Sequence, residues 1–327
     1  VTGASGFLGS QVVDQLLDAG FYVRGTARSK SAPRVSASYE SFGDRFRTVI
    51  VEDLATSDLT EAFEGVDAVI HVASPMARSA PPDILIKTAV DGTTRILEAA
   101  VAAHAQKAVI TSSIVALATL EHLSTSVTIG TDDWSPLTHK DALQSDASAS
   151  LVYAASKALA DRAAWAFAQG HPALSVTSIY PPVMLGRAGR GYAIDAPASG
   201  TNGMVYALVS GPAGRAVPAV RAAVGTFLNV ADAARAHVNA LQLAGAPTRI
   251  IPNAGEYSWV RAVRHLAARR PELSVRLPVV EGDGPPMPAH AVFDNSSAKL
   301  VGFGAYISFE ETVEAVVDEA LRREEEL

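Results

Sequence analysis

The 327-residue chain predicts an α/β fold, a doubly wound parallel sheet followed by a smaller C-terminal lobe, and three observations carry that expectation. Short apolar runs alternate with helix-periodic stretches through the first 180 residues. A glycine-rich turn at residues 2–9 opens the first of those stretches. After Tyr180 the alternation stops, and Gly, Ala and Pro dominate a segment beginning at Gly186.

Residues 21–26, 48–51, 68–72, 108–111 and 175–179 read as strands, and 8–19, 83–103 and 151–168 have helical periodicity. Strands joined by helices pair in parallel and are covered on both faces. Beyond Tyr180, residues 186–203 read as a loop, 231–243 and 257–269 as helices, 281–288 as a turn-rich linker and 310–322 as a terminal helix. The expected division is a dinucleotide-binding lobe over 1–181, which also receives parts of 227–255, and a substrate lobe over 182–327. The site is expected in the cleft between them.

Composition narrows the function. Hydrophobic residues make up 48% and charged residues 19%, a globular balance with no disordered signature. The net charge is −7 and no Lys/Arg-rich run suits a phosphate backbone, so no nucleic-acid partner is expected. Arg264, Arg269 and Arg270 read as the solvated side of a helix. The chain has no cysteine, which excludes disulfides, thiolate chemistry and Cys-ligated metals. No apolar run approaches the ~20 residues that span a bilayer, so no membrane partner is expected. Without a secretion signal the expected setting is the cytoplasm. Val1 stands directly before the glycine turn, where a whole buried strand belongs, so residues upstream of Val1 are expected, and the sequence as written would leave a hole beside that turn.

Thr2-Gly3-Ala4-Ser5-Gly6-Phe7-Leu8-Gly9 spaces its glycines three apart. Glycine permits the tight turn and lets backbone amides approach a pyrophosphate at a helix N-terminus. The following strand decides which dinucleotide fits. An NAD site places an acid near its end to accept from the ribose 2′-OH. Here Val23-Arg24-Gly25-Thr26-Ala27-Arg28-Ser29-Lys30 has no acid between Phe21 and Tyr39. A guanidinium pairs with a 2′-phosphate, so the expected cofactor is NADPH, held by Arg28 with Arg24 or Lys30 assisting.

Tyr153-Ala154-Ala155-Ser156-Lys157 places a phenol and an ammonium four residues apart, on one face of a helix. A free phenol has a pKa of about 10. A neighbouring ammonium is expected to lower it, so that Tyr153 exchanges a proton with a carbonyl oxygen. Ser112 and Ser113 follow the strand ending at Thr111, where a hydroxyl can hold that oxygen. His71, at the end of an apolar strand, reads as a packed histidine rather than a ligand. The eight histidines show no His-x-x-x-His spacing, and no Gly-x-Ser-x-Gly is present, so neither a metal nor a hydrolase is expected.

With these residues the chain resembles the extended short-chain dehydrogenase/reductases, in the branch of dihydroflavonol-4-reductase-like enzymes and microbial NADPH-dependent aldehyde reductases. The resemblance covers almost the whole chain. It rests on the glycine turn and on VRGTARS (23–29), VEDL (51–54), HVASP (71–75), VITSS (109–113), DWSPLT (133–138), VYAASK (152–157) and residues 227–237. It implies a Rossmann-like fold and reduction of a small-molecule carbonyl by a monomer or homodimer. It further implies Ser113 as the catalytic serine, Tyr153 as acid/base, and Lys157 as the residue that tunes Tyr153 and binds the nicotinamide ribose. Gly3, Gly6, Phe7 and Leu8 would surround the pyrophosphate and Arg28 would hold the 2′-phosphate. Asp53 and Leu54 would border the adenine, Ala73 would line the groove, and Pro181 to Val183 would flank the nicotinamide. Asp53 has the alternative of a cap or turn carboxylate. Residues 186–223 match no family string, and substrate choice is expected there.

Two rival functions would leave other marks in the sequence. A nucleotide-sugar dehydratase would carry Asp-Glu after Thr111, and an epimerase a Val-Tyr-Gly after its serines, where this chain has Ile114-Val115-Ala116. A non-catalytic NADP-binding sensor would lack the Tyr153 and Lys157 pair.

Overall fold

Residues 1–4 establish how the main sheet is joined. Thr2 forms a parallel bridge with His71, and its N–H donates to Ile70 O at 3.0 Å. On the other side Thr26 N–H donates to Val1 O and Ala4 N–H to Thr26 O, each at 2.9 Å. The sheet therefore runs Phe46–Ile50, Val23–Ala27, residues 1–4, Ala68–His71, Lys107–Thr111, Ser175–Ile179 and Thr248–Ile250, and its paired strands are parallel. The hole expected beside the glycine turn is closed, because Ala4 is fully buried there within the core. These relations come from a computed structural model that describes residues 1–75, 80–220 and 225–326.

The alternation of side chains along each strand explains the two covered faces. In Lys107–Thr111, Val109 packs with Leu8, Val12, Val13 and Leu16 of the helix Phe7–Asp18 and with Ala233 and Ala236 of the helix Val230–Ala240. Ala108 and Ile110 point the other way, onto Ile96 and Leu97 of the helix Pro82–Ala102 and Ala164 and Ala168 of the helix Ala149–Gly170. Each such aliphatic side chain contributes roughly 1.5–3 kcal/mol by leaving water. Helix starts follow local chemistry. Ser148 accepts from Leu151 N–H at 3.1 Å, Asn229 accepts from Ala231 N–H at 2.8 Å, and Pro82 opens its helix at the position where no N–H is needed.

The C-terminal lobe has its own core. The strands Val183–Leu185, Thr226–Asn229 and Gly255–Glu256 form a small mixed sheet. Against it lie the helices Asn202–Ser210, Trp259–Arg269 and Phe309–Glu326, around Phe227, Tyr257, Trp259 and Phe309. Thr128–Ile129 and Val292–Phe293 make a separate parallel pair. None of these strands, nor Thr248–Ile250, is expected from sequence, because two to four residues are too few to show a period of two. The segment expected as loop over 186–203 yields at Asn202 to a helix, and the helix expected from Tyr257 begins at Trp259, where Ser258 caps Arg261 N–H. Residues 221–223 of the unmatched segment lie outside the described residues. Among the described residues no helix is long and apolar enough to cross a membrane.

Candidate active site

Two glycines shape the turn at residues 2–9. Gly3 has φ +72°, and a Cβ there would stand 3.1 Å from the Ala73 Cβ. A Cβ on Gly9 would lie 2.0 Å from Gly3 O, so only glycine lets the helix begin this close to the turn. Gly6 is the N-cap and no side chain caps the first turn, so its amides, those of Phe7 and Leu8 among them, are available to an anion. The Leu8 side chain itself is buried in the core, whereas the Phe7 ring faces Tyr192 at 5.7 Å. Thr2 Oγ1 accepts from Val72 and Ala73 N–H, both at 3.0 Å, and so donates its own proton to His71 Nδ1 at 2.9 Å. That web fixes Ala73 against the turn. His71 is buried and neutral, with its pKa pushed down to about 3 by burial first and then by the Lys157 charge. It is a packing residue.

Arg28 and Lys30 leave the end of the Val23–Ala27 strand in exposed positions, and the Arg28 guanidinium makes no hydrogen bond or ion pair among the described residues. Arg24 is different. Its guanidinium donates to Glu64 O at 2.6 Å and Ala62 O at 3.3 Å, which removes it from the assisting role expected for it. The parallel register, Ala27 beside Ile50, also brings in a residue that sequence reasoning missed. Glu52 Oε1 accepts from Ser29 N–H at 2.8 Å, and its hydrogen bonds with Ser29 hold its carboxyl below the usual range, with a smaller contribution from Arg28. An acid 23 residues from its partner in sequence gives no signal until the strands are paired. Asp53 Oδ1 accepts from Ala55 N–H at 2.7 Å, the turn role left open above, and Leu54 beside it is half-buried.

At the other end of the site, Tyr153 and Lys157 occupy successive turns of the helix Ala149–Gly170. Lys157 is buried and its Nζ donates to Thr111 O at 3.2 Å, while lying 6.0 Å from the Tyr153 ring centre. The Ser113 hydroxyl bears on Tyr153 and accepts weakly from Val115 N–H at 3.5 Å. The effect expected of the ammonium on the phenol is not what the geometry produces. Burial pushes the Tyr153 pKa up to about 12, and Ser113, not Lys157, is the group that opposes the rise. Burial also pulls Lys157 down to about 8. Ser112 does not reach Tyr153; its buried hydroxyl bears on Asp161. Pro181 O accepts from Ile114 N–H at 3.3 Å, tying residues after the Ser175–Ile179 strand to those after Ser113, and Val183 follows half-buried.

Sequence reasoning also missed what lies behind this pair. Asp161, Tyr180 and Arg249 are buried together: Tyr180 Oη donates to Asp161 Oδ2 at 2.7 Å and Arg249 Nε donates to Tyr180 Oη at 2.7 Å. Asp161 stands four residues past Lys157, a spacing that could have pointed to it. The third missed feature is a clasp. From the C-terminal lobe, Gly189 N–H donates to Ser10 Oγ and Gly191 N–H to Tyr39 Oη, each at 3.1 Å, and Ala193 N–H donates to Ser5 O at 3.2 Å. Arg190 adds an ion pair with Asp14 at 3.6 Å.

Comparison with known proteins agrees with this geometry. Residues 1–255 match the profile of the family described as NAD dependent epimerase/dehydratase. Aldehyde reductase 2 of Sporidiobolus salmonicolor is 31% identical over 272 residues, covering 79% of this chain and 77% of that protein. An anthocyanidin reductase of Vitis vinifera is 29% identical, over 98% of this chain and 93% of its own. Among solved structures, Gre2 of Candida albicans in complex with NADPH superposes with a TM-score of 0.87 at 26% identity, covering 98% of each chain.

Proposed function

The chain belongs to the NAD dependent epimerase/dehydratase family, and from that premise we propose that it is an NADPH-dependent carbonyl reductase that converts a small ketone or aldehyde to an alcohol. The observation that carries this reading is the meeting of Ser113, Tyr153 and Lys157 at the ends of a sheet whose glycine turn lies two strands away. The aldehyde reductase and NADPH-bound relatives support it.

The residues present fit such a cofactor. The turn at Gly3 and Gly6 is a cradle that side chains would fill, and the neighbouring strand ends in an exposed Arg28 with no hydrogen bond or ion pair to its guanidinium among the described residues. In this reading the amides of Gly3, Gly6, Phe7 and Leu8 surround the pyrophosphate, and Arg28 with Lys30 takes the 2′-phosphate. Asp53 and Leu54 border the adenine, Ala73 lines the groove, and Pro181 to Val183 flank the nicotinamide. When bound, the reduced nicotinamide supplies a hydride. With a pKa near 12, Tyr153 is protonated throughout the neutral range and is set as the proton donor to the carbonyl oxygen. Ser113 hydrogen-bonds that oxygen and stabilises the charge growing on it. Lys157 binds the nicotinamide ribose and places positive charge beside the phenolate that Tyr153 leaves behind. Residues 1–181, with parts of 227–255, hold the cofactor, and 182–327 select the substrate. The proposed setting is cytoplasmic, as a monomer or homodimer.

The test is a panel of ketones, aldehydes and flavonoid-like compounds followed by NADPH absorbance, run with wild type and Tyr153→Phe. Turnover of at least one carbonyl by wild type alone is expected. No turnover of any, or equal turnover by the variant, overturns the proposal.

A further inference from the structure

We propose that Asp161 is a positioning residue for this reaction, a buried anion one helical turn beyond Lys157 that keeps the Lys157 ammonium charged and in place beneath Tyr153. The inference rests on the reading of Lys157 given above, and its experiment separates the two.

Tyr153, Lys157 and Asp161 follow one another at intervals of four along the helix Ala149–Gly170, so all three share a face about 6 Å apart. Lys157 and Asp161 are 6% and 3% exposed. An ammonium taken that far from water and given one carbonyl at 3.2 Å would be costly alone. The other groups bearing on it do not repay that cost. His71, from the neighbouring strand, is neutral in the working range, and Tyr153 is an uncharged phenol. Among the described residues Asp161 is the one carboxylate that acts on Lys157, and it acts to raise its pKa against burial.

Burial pushes the Asp161 pKa up, and the groups around the carboxyl oppose that rise. Tyr180 Oη donates to Oδ2 at 2.7 Å, and Ser178 and Ser112 hydroxyls also bear on the carboxyl. Arg249 faces Asp161 from the strand Thr248–Ile250 through a single 3.5 Å contact of Nη2. Its Nε goes to Tyr180, its Nη1 to the carbonyls of Thr131 and Asp133, and its Cζ lies 3.8 Å from the centre of the Trp134 ring. A structural ion pair would direct the guanidinium fork at both carboxylate oxygens. Here Oδ1 makes no hydrogen bond among the described residues, and neither does the buried Ser112 Oγ. One oxygen is thus held by the Tyr180 and Arg249 scaffold, and the other makes no hydrogen bond among the described residues, in the interior that also contains Lys157.

The test titrates Lys157 directly. In protein carrying lysine labelled at ¹⁵Nζ, six lysines give few resonances, and Lys157→Arg assigns the one of interest. Its midpoint is expected near 8 in wild type. In Asp161→Asn the midpoint should fall by about one to three pH units, the range by which an opposite charge shifts a neighbour. The high-pH limb of kcat/KM for NADPH-dependent reduction should move down with it. Tyr180→Phe removes one hydrogen bond and keeps the ring, so it should move both in the same direction by less, and it carries the test if Asp161→Asn fails to fold. A folded variant whose Lys157 midpoint stays in place overturns the inference, because a merely structural Asp161 would change stability alone. A midpoint that falls while the kinetic limb stays overturns the reading of Lys157 instead.

Discussion

Arg28 and Lys157, two of the cations of the proposed site, stand in opposite surroundings. Arg28 stands exposed at the end of a strand, with no bond to its guanidinium among the described residues and Glu52 nearby. Lys157 is buried, bonded to Thr111 O, and shifted to about 8. A charge in water can be added or removed at little cost to the fold and is weakened by salt. A buried charge needs partners and is sensitive to pH rather than to salt. In the proposed reading, recognition of the cofactor's tail and handling of the proton are therefore separable, and five experiments press on that separation.

The largest expected effect is on the buried side. Tyr153→Phe should lower kcat by about 10²–10⁴-fold, the range for one positioned acid, while the NADPH dissociation constant read by fluorescence titration changes little. A parallel loss of binding would merge the two regions. The next effect is of pH. Raising pH through about 8 discharges Lys157, so kcat/KM should fall by up to about tenfold per unit. Stability should move the other way. The unfolded Lys157 keeps its proton up to about 10.5 and the folded one releases it near 8, so between those values the unfolded state binds more protons and the contribution of this group to stability rises with pH. Urea midpoints of wild type minus Lys157→Met, at pH 8 and pH 10, check the sign.

On the exposed side, Arg28→Ala should cost about 10–100-fold in kcat/KM with NADPH, the loss of charge-assisted hydrogen bonds worth about 1.5–3 kcal/mol, and should leave NADH unchanged. Equal losses with both cofactors would show that Arg28 does not read the 2′-phosphate. Smallest of all is salt. Raising ionic strength from about 0.01 M to 0.15 M shortens the screening length from about 30 Å to 8 Å and should raise the KM for NADPH a few-fold, with the high-pH limb of the profile unmoved.

The legible parts of the molecule were those built on local repetition. The helix Phe7–Asp18 follows from its apolar spacing, and the strand Lys107–Thr111 from an unbroken apolar run bounded by polar residues. Tyr153 and Lys157 were visible because a helix turns their separation in sequence into a shared face. Glu52 and Arg249 were hidden because each reaches its place through strand pairing, Ile50 beside Ala27 and Ile250 beside Ile179, which a local pattern does not encode. The expected lowering of the Tyr153 pKa failed for a related reason. Spacing along a helix puts an ammonium nearby, but the Thr111 carbonyl that draws Nζ, and the burial that dominates the phenol, belong to tertiary packing.

The clasp of residues 189–193 on the first helix bears on how such a chain could be re-engineered. Segments that choose substrates are attractive to exchange between homologues, as if they were interchangeable cartridges. Here the partners of the segment proposed for that role are Ser5 in the opening turn, Ser10 and Asp14 on the helix that follows it, and Tyr39. A transplanted segment would thus arrive with mismatched fastenings, and its donor's preferences would transfer cleanly only if those four positions were carried across with it.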